Sequence, residues 1–103
     1  MKSKVYIAAV TGLLMAVSGT AHAAGNAANG KILSAQCTIC HGEDGKGGGP
    51  NPPIVALDAA RFTAALNDFK SGKRKYPIME MMAKKLSDQD IADLASHFDT
   101  LKK

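Results

Sequence analysis

The chain holds two cysteines, and they stand three apart with a histidine directly after the second: Cys37-Thr38-Ile39-Cys40-His41. Residues three apart lie on one face of a helix, so a single turn here would present both sulfurs to the same object. A histidine one step further on could reach the same object from another side. Three chemistries use such an arrangement: a redox dithiol, half of a zinc site, or covalent attachment of a haem. The rest of the sequence has to choose between them.

The chain is 103 residues long, room for one domain. Its first residues read as an export signal. Lys2 and Lys4 give a basic start, and Val5 to Val17 is a mostly apolar run broken by Tyr6, Thr11 and Gly12. Ala21-His22-Ala23 then has the small-x-small form of a cleavage site. The apolar run is short for a membrane span of about 20 residues, and no basic stop segment follows it. Residues 1–23 are therefore expected to be a signal peptide and residues 24–103 the working domain. No later stretch is apolar enough to cross a bilayer.

Losing 23 of 103 residues leaves 80, a marginal length for a self-sufficient core. Two lysines go with the signal, so a formal charge of +4 falls to about +2. There is no long basic run, no basic motif interleaved with aromatics and no Trp, which argues against nucleic acid as a partner. Aromatic residues make up only 5% of the chain, so a bulky apolar prosthetic group would supply core material that the side chains lack.

Asn26 to Ser34 reads as a helix with Asn26 as its cap. Gly30 inside it costs about 1 kcal/mol relative to Ala, which a close helix crossing would explain. Gly42 to Pro53 holds five glycines and three prolines and is expected to be an irregular wrapping loop. Asp58 to Lys70 is predicted helical, capped by Asp58, with Phe62, Leu66 and Phe69 as an apolar stripe and Gly72 as the stop. Ser87 and Asp90 form a capping box for the last helix, whose inward face is Ile91, Leu94, Ala95, Phe98 and Leu101. Asp88, Asp90 and Asp93 crowd the start of that helix, where its dipole favours them. The acids are otherwise read as solvated faces. No strand is predicted, and the fold class is all-α.

Against this background the three chemistries separate. A thioredoxin-like dithiol needs a βαβ setting that is absent here. A structural zinc site needs four ligands, and after processing only Cys37, Cys40, His41 and His97 are available. His97 sits between Ser96 and Phe98 and is expected at the surface. A plain disulfide remains compatible with the spacing but gives His41 no role. A haem uses all three residues: Cys37 and Cys40 form thioethers with its vinyl groups, and His41 ligates the iron through Nε2. The second axial position would fall in the segment after Pro77, where Met79, Met81 and Met82 each offer a thioether. Spacing alone does not choose among the three.

The segments "NGKILSAQCTICHGEDGKG", "PNPPIVA", "FKSGKRK" and "MEMMAKKLSDQDIADLASHF" together resemble a class I c-type cytochrome of the c4/c553 kind, over Gly25 through Phe98. The resemblance implies a small fold with crossed N- and C-terminal helices around one covalently bound haem c. It places the axial methionine seven residues before Leu86, at Met79, with Met82 and Met81 behind it. It implies that a carbonyl in the first proline turn, here at Pro50, accepts a hydrogen bond from His41. It also implies a contact of Gly30 with Phe98 where the terminal helices cross. Two features depart from the family pattern: Val55-Ala56-Leu57 stands where Leu-Ala-Gly is common, and His97-Phe98 stands where a Tyr is usual. The c4 proteins carry two such domains, whereas this chain has one CxxCH.

The function implied is one-electron transfer in the periplasm, not catalysis. Lys73, Arg74, Lys75, Lys84 and Lys85 flank the methionine segment and are expected to steer an acidic redox partner. The partner is either a free redox protein or a dehydrogenase for which this chain is the haem-bearing subunit. A gas-binding or peroxidatic haem with its sixth position open is the remaining alternative.

Overall fold

The structure, a computed structural model, describes residues 25–102; the predicted signal peptide lies outside them. Five α-helices follow one another: α1 (Ala27–Leu33), α2 (Ala35–His41), α3 (Ala59–Ser71), α4 (Pro77–Lys84) and α5 (Asp88–Thr100). A 3-10 turn at Glu43–Gly45 interrupts the glycine loop, and Gly48 and Asn51 form an isolated antiparallel bridge within it. No strand occurs among the described residues.

The caps form as the sequence predicts. The Asn26 side chain accepts from the Asn29 amide, and the Asp58 side chain accepts from the Arg61 amide. Ser87 and Asp90 complete their capping box, each side chain accepting from the other's backbone N–H. Gly72 ends α3 in the left-handed conformation, φ 85°. The helix α4 is an addition to the sequence reading. Its signal was present: Pro77 takes the first helical position, where a missing N–H costs nothing, and the Glu80 carboxylate accepts from the Tyr76 amide at 2.9 Å.

The core is built by α3, α4 and α5. Phe62, Leu66 and Phe69 meet Ala83, Leu86, Ile91, Leu94, Ala95 and Phe98, with the Phe62 and Phe98 ring centroids 5.5 Å apart. Fully burying a Phe, Leu or Ile side chain contributes about 1.5–3 kcal/mol, so this cluster carries much of the stability. Leu101, expected on the buried face, caps α5 and is only partly covered.

Across this core lies α1, packed on α5, so the terminal helices cross. Gly30 makes the crossing possible. A Cβ there would stand 1.9 Å from the Asp93 carbonyl oxygen and 2.9 Å from the His97 Cβ. The atoms nearest to Gly30 thus belong to Asp93 and His97, where the family resemblance implied Phe98. The Phe98 ring lies against Gly45, where a Cβ would come within 2.8 Å of it.

The crossing corrects two further expectations. His97 is buried, at 8% exposure, because α1 covers it; its ring lies 5.0 Å from that of Phe98. Asp93 is buried too, at 3% exposure. Its carboxylate accepts from the Asn26 amide at 2.7 Å, from the Asn29 side chain at 2.7 Å and from the Gln89 side chain at 2.8 Å. It pins the start of α1 to α5.

Candidate functional site

The five-residue motif occupies α2, a helix with no residue buried by protein atoms. Cys37 is partly covered, Cys40 is exposed, and both are free thiols. Ile39 between them is 82% exposed. Burial pushes the Cys37 thiol up to about 11, and the nearby Cys40 adds to the rise. Attack on a disulfide requires a thiolate, so a protonated Cys37 is poorly suited to redox exchange. Among the described residues no three His, Cys, Asp or Glu side chains gather to hold a metal ion.

The end of α2 is fastened by the loop that follows. Gly42 closes the helix with φ 84°, and its amide donates to the Thr38 carbonyl. A Cβ at Gly42 would come 2.3 Å from the Gly47 carbonyl oxygen, so the chain doubles back only because glycine is there. The Gly47 amide then donates to the His41 carbonyl at 2.6 Å.

His41 Nδ1 lies 2.8 Å from the Pro52 carbonyl oxygen. A carbonyl only accepts, so Nδ1 is the donor here, and in the neutral ring this leaves the lone pair on Nε2. The accepting residue is thus Pro52 and not Pro50. The cause is the Gly48–Asn51 bridge: these two residues exchange both backbone hydrogen bonds, at 2.9 and 3.1 Å, which puts the exposed Pro50 at the apex of the turn. The chain comes back alongside His41 two residues later. Three prolines within four positions offered the sequence reading no means of choosing among them.

The methionine segment forms α4, of which Ala83 is the buried residue. Met79 packs on the hydrophobic core, as do Cys37, Ile54 and Leu57. Met82 is half-buried, and Met81 is 57% exposed. Of the three thioethers, only Met79 shares the core with Cys37. Leu57, where a glycine is common, needs no positive φ: among the described non-glycine residues only Asp44 has one. Its amide donates to the Ile54 carbonyl, and its own carbonyl accepts from Lys102 Nζ.

This donor set fits a covalently held haem. Two free thiols stand one turn apart on a helix in which no residue is fully buried. The neighbouring imidazole has one nitrogen engaged and the other available. A thioether sits partly buried on the same core. Two clefts elsewhere, one beside Lys31, Asp44 and His97 and one beside Asp88, Ala92 and Asp99, include none of these residues.

Lys73, Arg74, Lys75, Lys84 and Lys85 are all exposed. Arg74 is partly committed within the fold, its guanidinium 4.8 Å from the centre of the Phe69 ring.

The family model for cytochrome c matches residues 27–102. The chain is 42% identical over 91 residues to cytochrome c4 of Pseudomonas aeruginosa, covering 87% of this chain and 45% of that one. It is 36% identical over 74 residues to the cytochrome subunit of sulfide dehydrogenase of Chlorobaculum tepidum, covering 72% and 67%. The solved structure of Acidithiobacillus ferrooxidans cytochrome c4 superposes with a TM-score of 0.70 at 27% identity, covering 75% of this chain and 50% of that one. The chain spans about half the length of the c4 relatives that it matches.

Proposed function

Because the chain belongs to the cytochrome c family, as a class I c-type cytochrome, we propose that it is an exported one-electron carrier with a single haem c. The observation that carries this reading is the placing of His41: its Nδ1 is bonded to the Pro52 carbonyl, and the two residues that would hold the haem, Cys37 and Cys40, are free thiols on the same helix. In this reading residues 1–23 direct export to the periplasm and are removed.

Each residue then has a task set by its chemistry. Cys37 and Cys40 hold the haem as thioethers, which prevents its loss outside the cytoplasm. His41 ligates the iron through Nε2, and the Pro52 carbonyl fixes the ring and raises its basicity. Met79 would offer its thioether to the iron, and a thioether there would raise the reduction potential relative to a second histidine. A haem so bound supplies reversible one-electron exchange at iron. The protein's part is to keep both ligands in place in both oxidation states and to tune the potential through burial and hydrogen bonding. Lys73, Arg74, Lys75, Lys84 and Lys85 steer an acidic partner; replacing Lys84 and Lys85 by neutral residues lowers the rate of partner reduction and its salt dependence.

The test is an optical spectrum of the protein lacking residues 1–23, reduced with dithionite, before and after carbon monoxide. Sharp c-type bands unmoved by carbon monoxide support a six-coordinate electron carrier. Bands that shift promptly establish an open sixth position and overturn it in favour of ligand binding. A second reading, the haem-bearing subunit of a dehydrogenase, draws on the likeness to the sulfide dehydrogenase subunit. Stable co-purification with a catalytic chain distinguishes it from a free shuttle.

A further inference from the structure

The last turn of α2 is the part of the site most dependent on its surroundings. Carbonyls in a helix's final turn have no partner within the helix. Here Thr38 receives the Gly42 amide and His41 receives the Gly47 amide. The carbonyl of Cys40, itself one of the two proposed haem-bearing positions, receives a side chain instead: Asn51 Nδ2 donates to it at 3.0 Å.

Asn51 also sets the neighbouring contact. Its backbone is held to Gly48 by a hydrogen bond in each direction. The next residue is Pro52, whose carbonyl accepts from His41 Nδ1. The linkage between them is stiff. A residue before proline is confined to extended conformations, and a proline has its own φ fixed. Pro52 is itself followed by Pro53, which restricts its ψ as well. The direction of the Pro52 carbonyl therefore follows from where Asn51 stands. Asn51 is anchored, through its side chain, to the helix that carries His41.

We infer that Asn51 is a positioning residue for the iron-ligating histidine: its amide clamps the proline turn to Cys40 and so sets the His41–Pro52 hydrogen bond. The inference rests on the haem reading above. A strong bond from Nδ1–H to a carbonyl makes the imidazole a better electron donor, which favours oxidised iron. Loosening it raises the reduction potential.

The test uses the haem-loaded protein with Asn51→Ala, Asn51→Gln and, as a control for lost stability elsewhere, Asp58→Ala at the α3 cap. The midpoint potential and the exchange rate of the His41 Nδ1 proton by NMR are measured in each. The expected result is an upward shift in potential with faster proton exchange in Asn51→Ala, a smaller shift in Asn51→Gln, which keeps an amide, and none in Asp58→Ala. An unchanged potential in Asn51→Ala overturns the inference, as does a shift with the Nδ1 proton still protected. If Asn51→Ala does not mature, the unaltered haem protein decides: slow exchange of the Asn51 side-chain amide protons supports the clamp, and free exchange overturns it. A wild-type protein without c-type bands would refute the haem reading itself, a separate outcome.

Discussion

Gly30 lies so close to Asp93 that a methyl group on it would stand 1.9 Å from the Asp93 carbonyl oxygen. The obstacle is helix backbone, which cannot swing aside like a side chain. Gly30→Ala must push α1 off α5, although alanine is the better helix former. Forced overpacking typically costs about 1–3 kcal/mol. Chemical denaturation of the haem-loaded variant is expected to show a loss in that range.

The Asp93 carboxyl is held below its ordinary value, first by the Asn26 amide, then by the Gln89 and Asn29 side chains, with burial opposing them. A carboxylate with a depressed folded pKa contributes stability that is present above its unfolded pKa, about 3.9. That contribution is lost as pH falls through the folded value. Asp93→Asn is expected to be less stable at neutral pH and to lose less stability on acidification below about pH 4. Parallel denaturation curves for the two proteins at pH 7 and pH 3 would check this, with convergence expected at low pH.

His97 behaves in the opposite sense chemically but also weakens the fold in acid. Burial, and then the Lys31 charge, push its pKa down, while Asp44 partly offsets them. Below the unfolded value of about 6.5 the unfolded chain takes up a proton more readily than the folded one, so stability declines as pH falls. In His97→Phe this decline is expected to be absent. Thermal unfolding between pH 7.5 and pH 5 would reveal a flatter profile than that of the parent.

Met79 and Met81 lie two residues apart but differ in burial, Met79 packing on the core and Met81 standing 57% exposed. Met79→Ala is expected to open the sixth position, so that carbon monoxide shifts the reduced spectrum and the midpoint potential changes. Met81→Ala is expected to leave both unaltered. Carbon monoxide titration of the two variants tests the assignment; binding by Met81→Ala alone would reverse it.

Local chemistry was legible without coordinates. Asn26, Asp58 and the Ser87–Asp90 pair cap their helices because a short polar side chain reaches an amide only a few residues away. The stripe of Phe62, Leu66 and Phe69 follows from helical period alone. The Cys37–Cys40–His41 motif owed its meaning to spacing within one helix, so it too could be read directly. Pro77 and Glu80 carried the signal for α4, which the run of methionines around Glu80 obscured.

What the tertiary structure decided concerns contacts between residues far apart in the chain. Nothing near Asp93 distinguishes it from Asp88 or Asp90; it is buried because α1, 64 residues earlier at Asn29, lies over it. His97 is covered for the same reason. Pro52 replaces Pro50 as the partner of His41 because a backbone bridge sets the phase of the loop, and a loop's phase has no periodic signature. Sequence determined which elements form and which atoms could bind. Only the crossing of helices and the closure of the glycine loop determined which carboxylate, imidazole and carbonyl end up inside, since burial depends on what the rest of the chain lays on top.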